Sequence, residues 1–315
     1  MTDDDVLDEA LTRLHATGPE FGGYLSNHGP MAADALVRIG RADAVERWVD
    51  AYLPRLYDAP TPRWTLREAD AVEAFGAHDR LADWCALFDR LLQDEPWTQV
   101  LTRWWPRLLP SAVTAAAHPL IRTGHVVRAL REDETAPRRR ELAQALGYWA
   151  ARWQPQPAGA GAGRPLLLDL PLAPSDGTFT ERLDALAPTP SYDVDLDDLV
   201  DEAVEGYLTW GADSPIMLVH AATAPRAAAL VLPSLPPELW AATRGRAWSV
   251  AATIVTAYRT GQQAPAPTLA RDVADRAVAS GDEHAIKFVE VALESAARGS
   301  CAALAAAGLA CDLLA

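Results

Sequence analysis

Seven histidines and a single lysine are the side chains of this 315-residue chain whose settings point most directly to chemistry. His28 lies in a turn-rich stretch just before Pro30. His118 and His125 share the segment AAHPLIRTGHVVRAL, His220 sits in SPIMLVHAATAPR, and His284 sits in GDEHAIKFVE, three residues ahead of Lys287. Each of these segments puts an imidazole on or beside an apolar helix. His15, beside Leu11 and Leu14, and His78, in an Ala-His-Asp-Arg turn, look instead like ordinary helix and cap residues.

Several imidazoles and one carboxylate-type ligand form a donor set suited to a borderline first-row metal, and iron(II) in such a field keeps a position open for dioxygen. His118 and His125 are seven apart, so two helical turns put them on one face, with Arg122 four residues after the first. Pro119 places His118 near a helix start. His284 and Lys287 also share a helix face, and Ile286, Phe288 and Val289 flank the lysine. An ammonium facing a core is costly unless paired or neutralised. Three states of Lys287 stay open: a snorkelling lysine paired with Glu283 or Glu290, a low-pKa amine acting as base or Schiff-base nucleophile, and an amine carboxylated by carbon dioxide. The last would be a carboxylate able to bind a metal.

The elements that must position these groups are helical, and the sequence predicts an all-α fold. Apolar residues recur at helical spacing from Asp5 to about Gly18-Pro19, and Pro30 opens a helix that Gly40 caps. Further helical patterns cover about 42–56, 66–76, 78–93, 97–108, 111–131 and 137–153. Gln154 to Pro165 reads QPQPAGAGAGRP, a stretch expected to be a flexible linker. It divides an N-terminal half, 1–153, from a C-terminal half, 166–315, which together are expected to form one compact domain sharing a site. The Gly159–Gly163 repeat is not a dinucleotide fingerprint, because no strand precedes it and Arg164-Pro165 follows. After an extended piece at 166–172, helical periodicity resumes at about 179–187, 195–210, 214–223, 225–231, 236–259, 266–280, 282–298 and 300–313.

Composition removes several function classes. Forty-three acidic residues against 28 basic ones give a net charge of −15, which repels phosphate backbones and anionic lipid heads, so nucleic acid and membrane surfaces are not expected partners. Of the 28 basic residues, one is Lys287 and the other 27 are arginine. Cys85, Cys301 and Cys311 are odd in number and lack a CxxC spacing, which fits a reducing cytoplasm. Thr2-Asp3-Asp4-Asp5 is unlike a secretory leader, and no run of roughly 18 apolar residues is expected to span a membrane. P-loop, nucleophile-elbow, HExxH, kinase and flavin signatures are all missing. Trp48, Trp97, Trp104, Trp105 and Trp149 could wall a site for a planar substrate, although core packing is the more ordinary role for a tryptophan.

The motifs in combination resemble the questin oxidase-like family. The resemblance lies in Ser26-Asn27-His28-Gly29-Pro30-Met31-Ala32-Ala33-Asp34-Ala35-Leu36 with Ile39-Gly40-Arg41, Trp48 and Tyr52, and in His118-Pro119-Leu120-Ile121-Arg122-Thr123-Gly124-His125. It extends to His220-Ala221-Ala222-Thr223 and Asp282-Glu283-His284-Ala285-Ile286-Lys287-Phe288, and so spans nearly the whole chain. It implies a mostly helical oxygenase acting with dioxygen on aromatic polyketide rings such as anthraquinones, by oxygen insertion beside a carbonyl or by ring cleavage, with NADPH as a possible reductant. It further implies non-haem iron(II) held by four histidines and a carboxylated lysine. Carried over by motif, these are His28, His118, His220, His284 and Lys287, with His125 in a supporting role. Arg122, Thr223 and Glu290 are the other candidates to partner the outer ring nitrogens. Without that metal, the chain would be a helical scaffold with core histidines or an enzyme using Lys287 as a base.

Overall fold

A computed structural model describes residues 2–157, 159, 163–172, 176–186, 188–261 and 272–315. The described residues are overwhelmingly helical, and their paired strands are the two-residue segments Glu20–Phe21 and Leu25–Ser26, joined as an antiparallel hairpin. The chain is therefore all-α, as its periodicity predicts. The hairpin falls within the turn-rich stretch before His28, where pairs this short leave no alternation to detect.

Helix Asp3–Leu14 begins with a capping box between Thr2 and Asp5 and buries Leu7, Ala10, Leu11 and Leu14. It covers helix Gly29–Arg38, in which every residue from Gly29 to Leu36 is buried. A helix buried all round lies inside a core rather than on it. The approach is close enough that a Cβ on Gly29 would stand 2.5 Å from Leu14 Cδ2, so a larger residue there would have to displace the buried Leu14 side chain.

Helix Glu283–Arg298 packs on Gly29–Arg38, and helix His118–Glu132 packs on His220–Val231. Two elements of the first half thus meet two of the second. At the second crossing a Cβ on Gly124 would fall 2.6 Å from Ala227 Cα, so the helices touch backbone to backbone. The linker is tied to this body where it is described: Gln156 donates its backbone N–H to Pro110 O, and Gly159 donates to Thr189 O. Ala158 and residues 160–162 of the linker lie outside the described residues.

Several boundaries differ from the expected ones. The pattern at 111–131 is not one helix: Ala115, Ala116 and Ala117 have φ of 46°, 55° and 64°, and helix His118–Glu132 starts after them with Pro119 in its first turn. Periodicity reports where side chains face and cannot report a reversal of backbone hand. Pro225, expected to separate 214–223 from 225–231, lies inside the continuous helix His220–Val231. The pattern at 66–76 yields a 3₁₀ turn, Glu68–Asp70, and one turn of helix, Ala71–Ala74. Within 166–172 the chain makes a 3₁₀ turn, Leu167–Asp169. Helix Val273–Ser280 occupies the described part of 266–280, of which residues 266–271 lie outside the described residues, as does Ala187 at the end of 179–187.

Among the described residues one segment, Pro215–Ser234, is apolar and long enough to cross a membrane, with mean hydropathy 1.4 in an 18-residue window, against the expectation that no such run exists. It carries His220 and Arg226, and 67% of that window is buried inside the protein, which makes it a core segment. The five tryptophans offered as substrate walls pack into the hydrophobic core. Of these, Trp104 packs edge-on to Trp84, Trp105 edge-on to Trp149, and Trp48 stacks on Tyr52.

Candidate metal centre

Four imidazoles converge where the two helix pairs meet. His28 Nε2 is 2.7 Å from His118 Nε2, and His118 Nε2 is 3.0 Å from His220 Nε2. The His284 ring centroid lies 4.6 Å from that of His28 and 5.4 Å from that of His220. One nitrogen from each of His28, His118 and His284 can be chosen so that all three lie within 4.8 Å of one another, a cluster able to hold a metal ion.

Each ring is placed by its own element. His28 is the residue before helix Gly29–Arg38, and its backbone N–H donates to Tyr52 Oη at 2.8 Å. The three left-handed alanines turn the chain so that Ala115 O lies 2.5 Å from His118 Nδ1. L-residues pay roughly 1–2 kcal/mol each for that conformation. His220 opens its helix with Nδ1 3.1 Å from Met217 O, and His284 enters helix Glu283–Arg298 behind the Asp282 cap.

The hydrogen bonds show why these rings suit a cation. A carbonyl oxygen only accepts, so His118 and His220 both carry their proton on Nδ1 and present bare lone pairs at Nε2. Those lone pairs face each other across 3.0 Å. His28 cannot repair this: donating to His118 from Nε2 leaves its Nδ1 lone pair 3.7 Å from Glu283 Oε1, and the other tautomer puts a third lone pair into the cluster. No neutral arrangement satisfies every ring. Two imidazoles bound side by side to one ion through bonds of about 2.1 Å would stand roughly 3 Å apart, which matches the spacing found.

Protons do not substitute easily for such an ion. Burial, reinforced by Lys287 and the neighbouring rings, holds His28, His118 and His220 well below the usual histidine value. Burial likewise lowers His284, although Asp282 opposes the shift.

Lys287 is 1% exposed, and its Nζ has no hydrogen-bond partner among the described residues. Burial lowers its amine to about 8 despite the opposing pull of Glu283 and Asp282. A snorkelling lysine in a tight ion pair is therefore not what is found. Lys287 follows His284 by one turn of helix Glu283–Arg298, and its charge opposes protonation of all four clustered rings.

The remaining candidates lie elsewhere. His125 Nδ1 is 2.8 Å from Asp34 Oδ2, within a buried network in which Arg128 pairs with Asp34 and Glu290. Burial would raise Asp34, but Arg128, His125 and Arg38 hold it far below the carboxylate range. Arg122 is buried against Glu141 and Gln144, and His15, expected to be an ordinary helix residue, joins that group through Glu141 at 3.2 Å. Thr223 donates to Val219 O. None of His125, Arg122, Thr223 and Glu290 has a hydrogen bond to a clustered ring among the described residues. The outer nitrogens face Ala115 O, Met217 O, Glu283 at 3.7 Å and Asp282 at 3.5 Å instead. Asp282 and Glu283 were open to notice as neighbours of His284, whereas a carbonyl carries no signature in a sequence.

All four imidazoles line a cavity of about 440 Å³. Its other walls include Phe21, Tyr24, Leu25, Phe179, Ile216 and Met217, with Arg55 and Glu283 among the charged groups. The arrangement is a mostly apolar chamber with a cluster of nitrogen donors on one wall. No family model and no curated protein matches the sequence. Fold and site together define an all-α protein with a buried histidine cluster whose geometry could hold a metal ion.

Proposed function

We propose that the chain is a non-haem iron oxygenase that acts on planar aromatic substrates of the polyketide type. The observation that carries this reading is the convergence of four imidazoles on an apolar cavity, with the buried, unpartnered Lys287 one helical turn along from His284. The resemblance to questin oxidase-like sequences supports it through the same five residues.

In this reading His28, His118, His220 and His284 hold the ion, and Lys287 supplies an anionic ligand after carboxylation. That modification is balanced: the neutral amine forms a bond to the carbon of carbon dioxide and releases one proton. An amine lowered to about 8 is largely protonated at neutral pH yet gives up its proton far more readily than an ordinary lysine. Ferrous iron there would supply a redox-active Lewis acid for oxygen chemistry.

The chain's own residues do the rest. Ala115 O and Met217 O fix two tautomers so that their Nε2 atoms aim inward. Phe21 and Phe179 offer apolar ring surface to a planar substrate at the cavity wall. Among the described residues no fold recognisable as an NADPH site is present, and in this reading reducing equivalents would come from the substrate or a partner. The unpartnered amine also favours a second reading, a metal-free enzyme using Lys287 as base.

The deciding experiment is metal analysis of protein purified after expression with iron supplied, followed by anaerobic titration with ferrous iron and measurement of oxygen uptake with hydroxyanthraquinones. One iron per chain and substrate-dependent uptake support the oxygenase. Full activity in chelated protein moves the assignment to the lysine base.

A further inference from the structure

Arg55 is the one permanent cation among the described residues lining the cavity. Its side chain is 49% exposed, whereas that of Glu283, its partner, is 7% exposed. The guanidinium lies 5.7 Å from the Phe21 ring centroid and 4.8 Å from that of Tyr52, so two aromatic faces hold it at the cavity wall. Both of its bonds to Glu283 are 3.2 Å, longer than the roughly 2.7–2.9 Å of a tight charge-assisted pair. Glu283 Oε1 also stands 3.7 Å from His28 Nδ1. The carboxylate is thus shared between two partners and held closely by neither. A guanidinium has five N–H donors, and Glu283 uses two of them.

We propose that Arg55 is the receptor for a carboxylate substituent on an apolar aromatic ligand, in competition with Glu283. This deepens the reading of the cavity as a substrate site and rests on it. The ligand's ring meets Phe21 and the other apolar walls while its carboxylate takes the outward donors of Arg55. In a chain of net charge −15, one exposed guanidinium at an apolar cavity discriminates an acidic ligand from its neutral counterpart.

The test is calorimetric titration of chelated, metal-free protein with 2-naphthoate and with its neutral analogue 2-naphthamide, so the outcome does not depend on whether any metal binds. Wild-type protein is expected to prefer the carboxylate by roughly tenfold, the scale of one charge-assisted contact. Arg55→Gln should abolish that preference, Arg55→Lys should keep part of it, and Glu283→Gln should widen it several-fold by removing the competitor. A latch between Arg55 and Glu283 with no ligand role would leave the preference the same in Glu283→Gln as in wild type, which overturns the proposal. Equal binding of the two ligands by wild type overturns it, as does a preference that survives in Arg55→Gln. If Arg55→Gln fails to fold, the Glu283→Gln arm decides. Loss of the naphthoate preference in protein that still binds iron removes this assignment alone, and loss of iron binding with the preference intact removes only the oxygenase reading.

Discussion

His118 and His220 point unprotonated Nε2 atoms at each other across 3.0 Å, because the opposite nitrogen of each ring is committed to a backbone carbonyl. This relationship separates ligand rings from bystander rings. Replacing His118 or His220 with alanine should weaken metal binding by more than about a hundredfold, since loss of a mere supporting partner costs 10–100-fold. His125→Ala, which strips a partner from buried Asp34, should instead cost about 1–3 kcal/mol of stability and leave the metal in place. Equilibrium dialysis beside thermal melts reads both effects. A His125 variant that folds yet loses its metal would reverse the assignment.

Lys287 makes a sharper prediction because its chemistry needs a free amine. Lys287→Ala should lose the metal and regain it when formate or acetate fills the gap left by a missing carboxylate. Lys287→Arg should bind none, since a guanidinium does not deprotonate in a protein. Metal content of the three proteins, with and without added carboxylate, is the measurement. An arginine variant with normal metal content excludes the carbamate.

The same groups set how the metal-free protein responds to pH. Lys287 falls from an ordinary 10.5 to about 8 on folding, so the unfolded chain binds more protons between those values and stability rises with pH across that interval. Below about 8 the full penalty, about 3 kcal/mol, is present. The four histidines are also lowered on folding, so stability falls further as pH drops below their usual 6.5. Urea midpoints of chelated protein should therefore climb from about pH 5 to 6.5, and between about pH 8 and 10, where the buried Cys85 and Cys311 thiols pull the other way in both proteins, the gap between wild type and Lys287→Met should narrow as the amine is neutralised. A gap between wild type and Lys287→Met that stays constant from about pH 8 to 10 would show that the amine is not depressed.

The residues of the cluster were more legible in the sequence than the reasons for their geometry. His28, His118, His220, His284 and Lys287 stand out by type and by apolar setting, and helical spacing alone puts the last two on one face. The all-α class follows from periodicity. The Ala115–Ala117 reversal is hidden because alanine is a strong helix former in every propensity argument. The hairpin that walls the cavity is too short to alternate, and Pro225 reads as a break although its helix continues through it. Roles for Arg122, Thr223 and Glu290 were drawn from proximity in sequence to a histidine, but a helix turns such neighbours toward other partners, here Glu141, Val219 O and Arg128.

Gly124 tests whether the helix crossing or the loops beside it hold His118 next to His220. A Cβ there would lie 2.6 Å from Ala227 Cα and 2.8 Å from Ala227 O, both backbone atoms that cannot rotate away. Gly124→Val should push the helices apart at a cost of about 1–3 kcal/mol, the usual range for overpacking. It should also weaken metal binding by at least roughly tenfold, because the two rings belong to the two helices that separate. A valine variant with a lowered melting temperature and unchanged metal affinity would mean that the ring spacing is set by Ala115 O and Met217 O alone.

Ala116 and Ala117 hold φ of 55° and 64°, where glycine sits without the Cβ penalty. Relief of about 1–2 kcal/mol of left-handed strain exceeds the roughly 0.5–1 kcal/mol that glycine's extra freedom costs. Each single Ala→Gly change should therefore raise stability by about 0.5–1 kcal/mol. Metal affinity should not improve with it, since His118 is already held by Ala115 O and a more flexible turn restrains the ring less. Denaturant midpoints and metal titrations on the same samples separate the two. A gain in stability without a gain in affinity assigns the strain to holding His118, whereas a loss of stability in both variants would show that surrounding packing, not strain, dominates this turn.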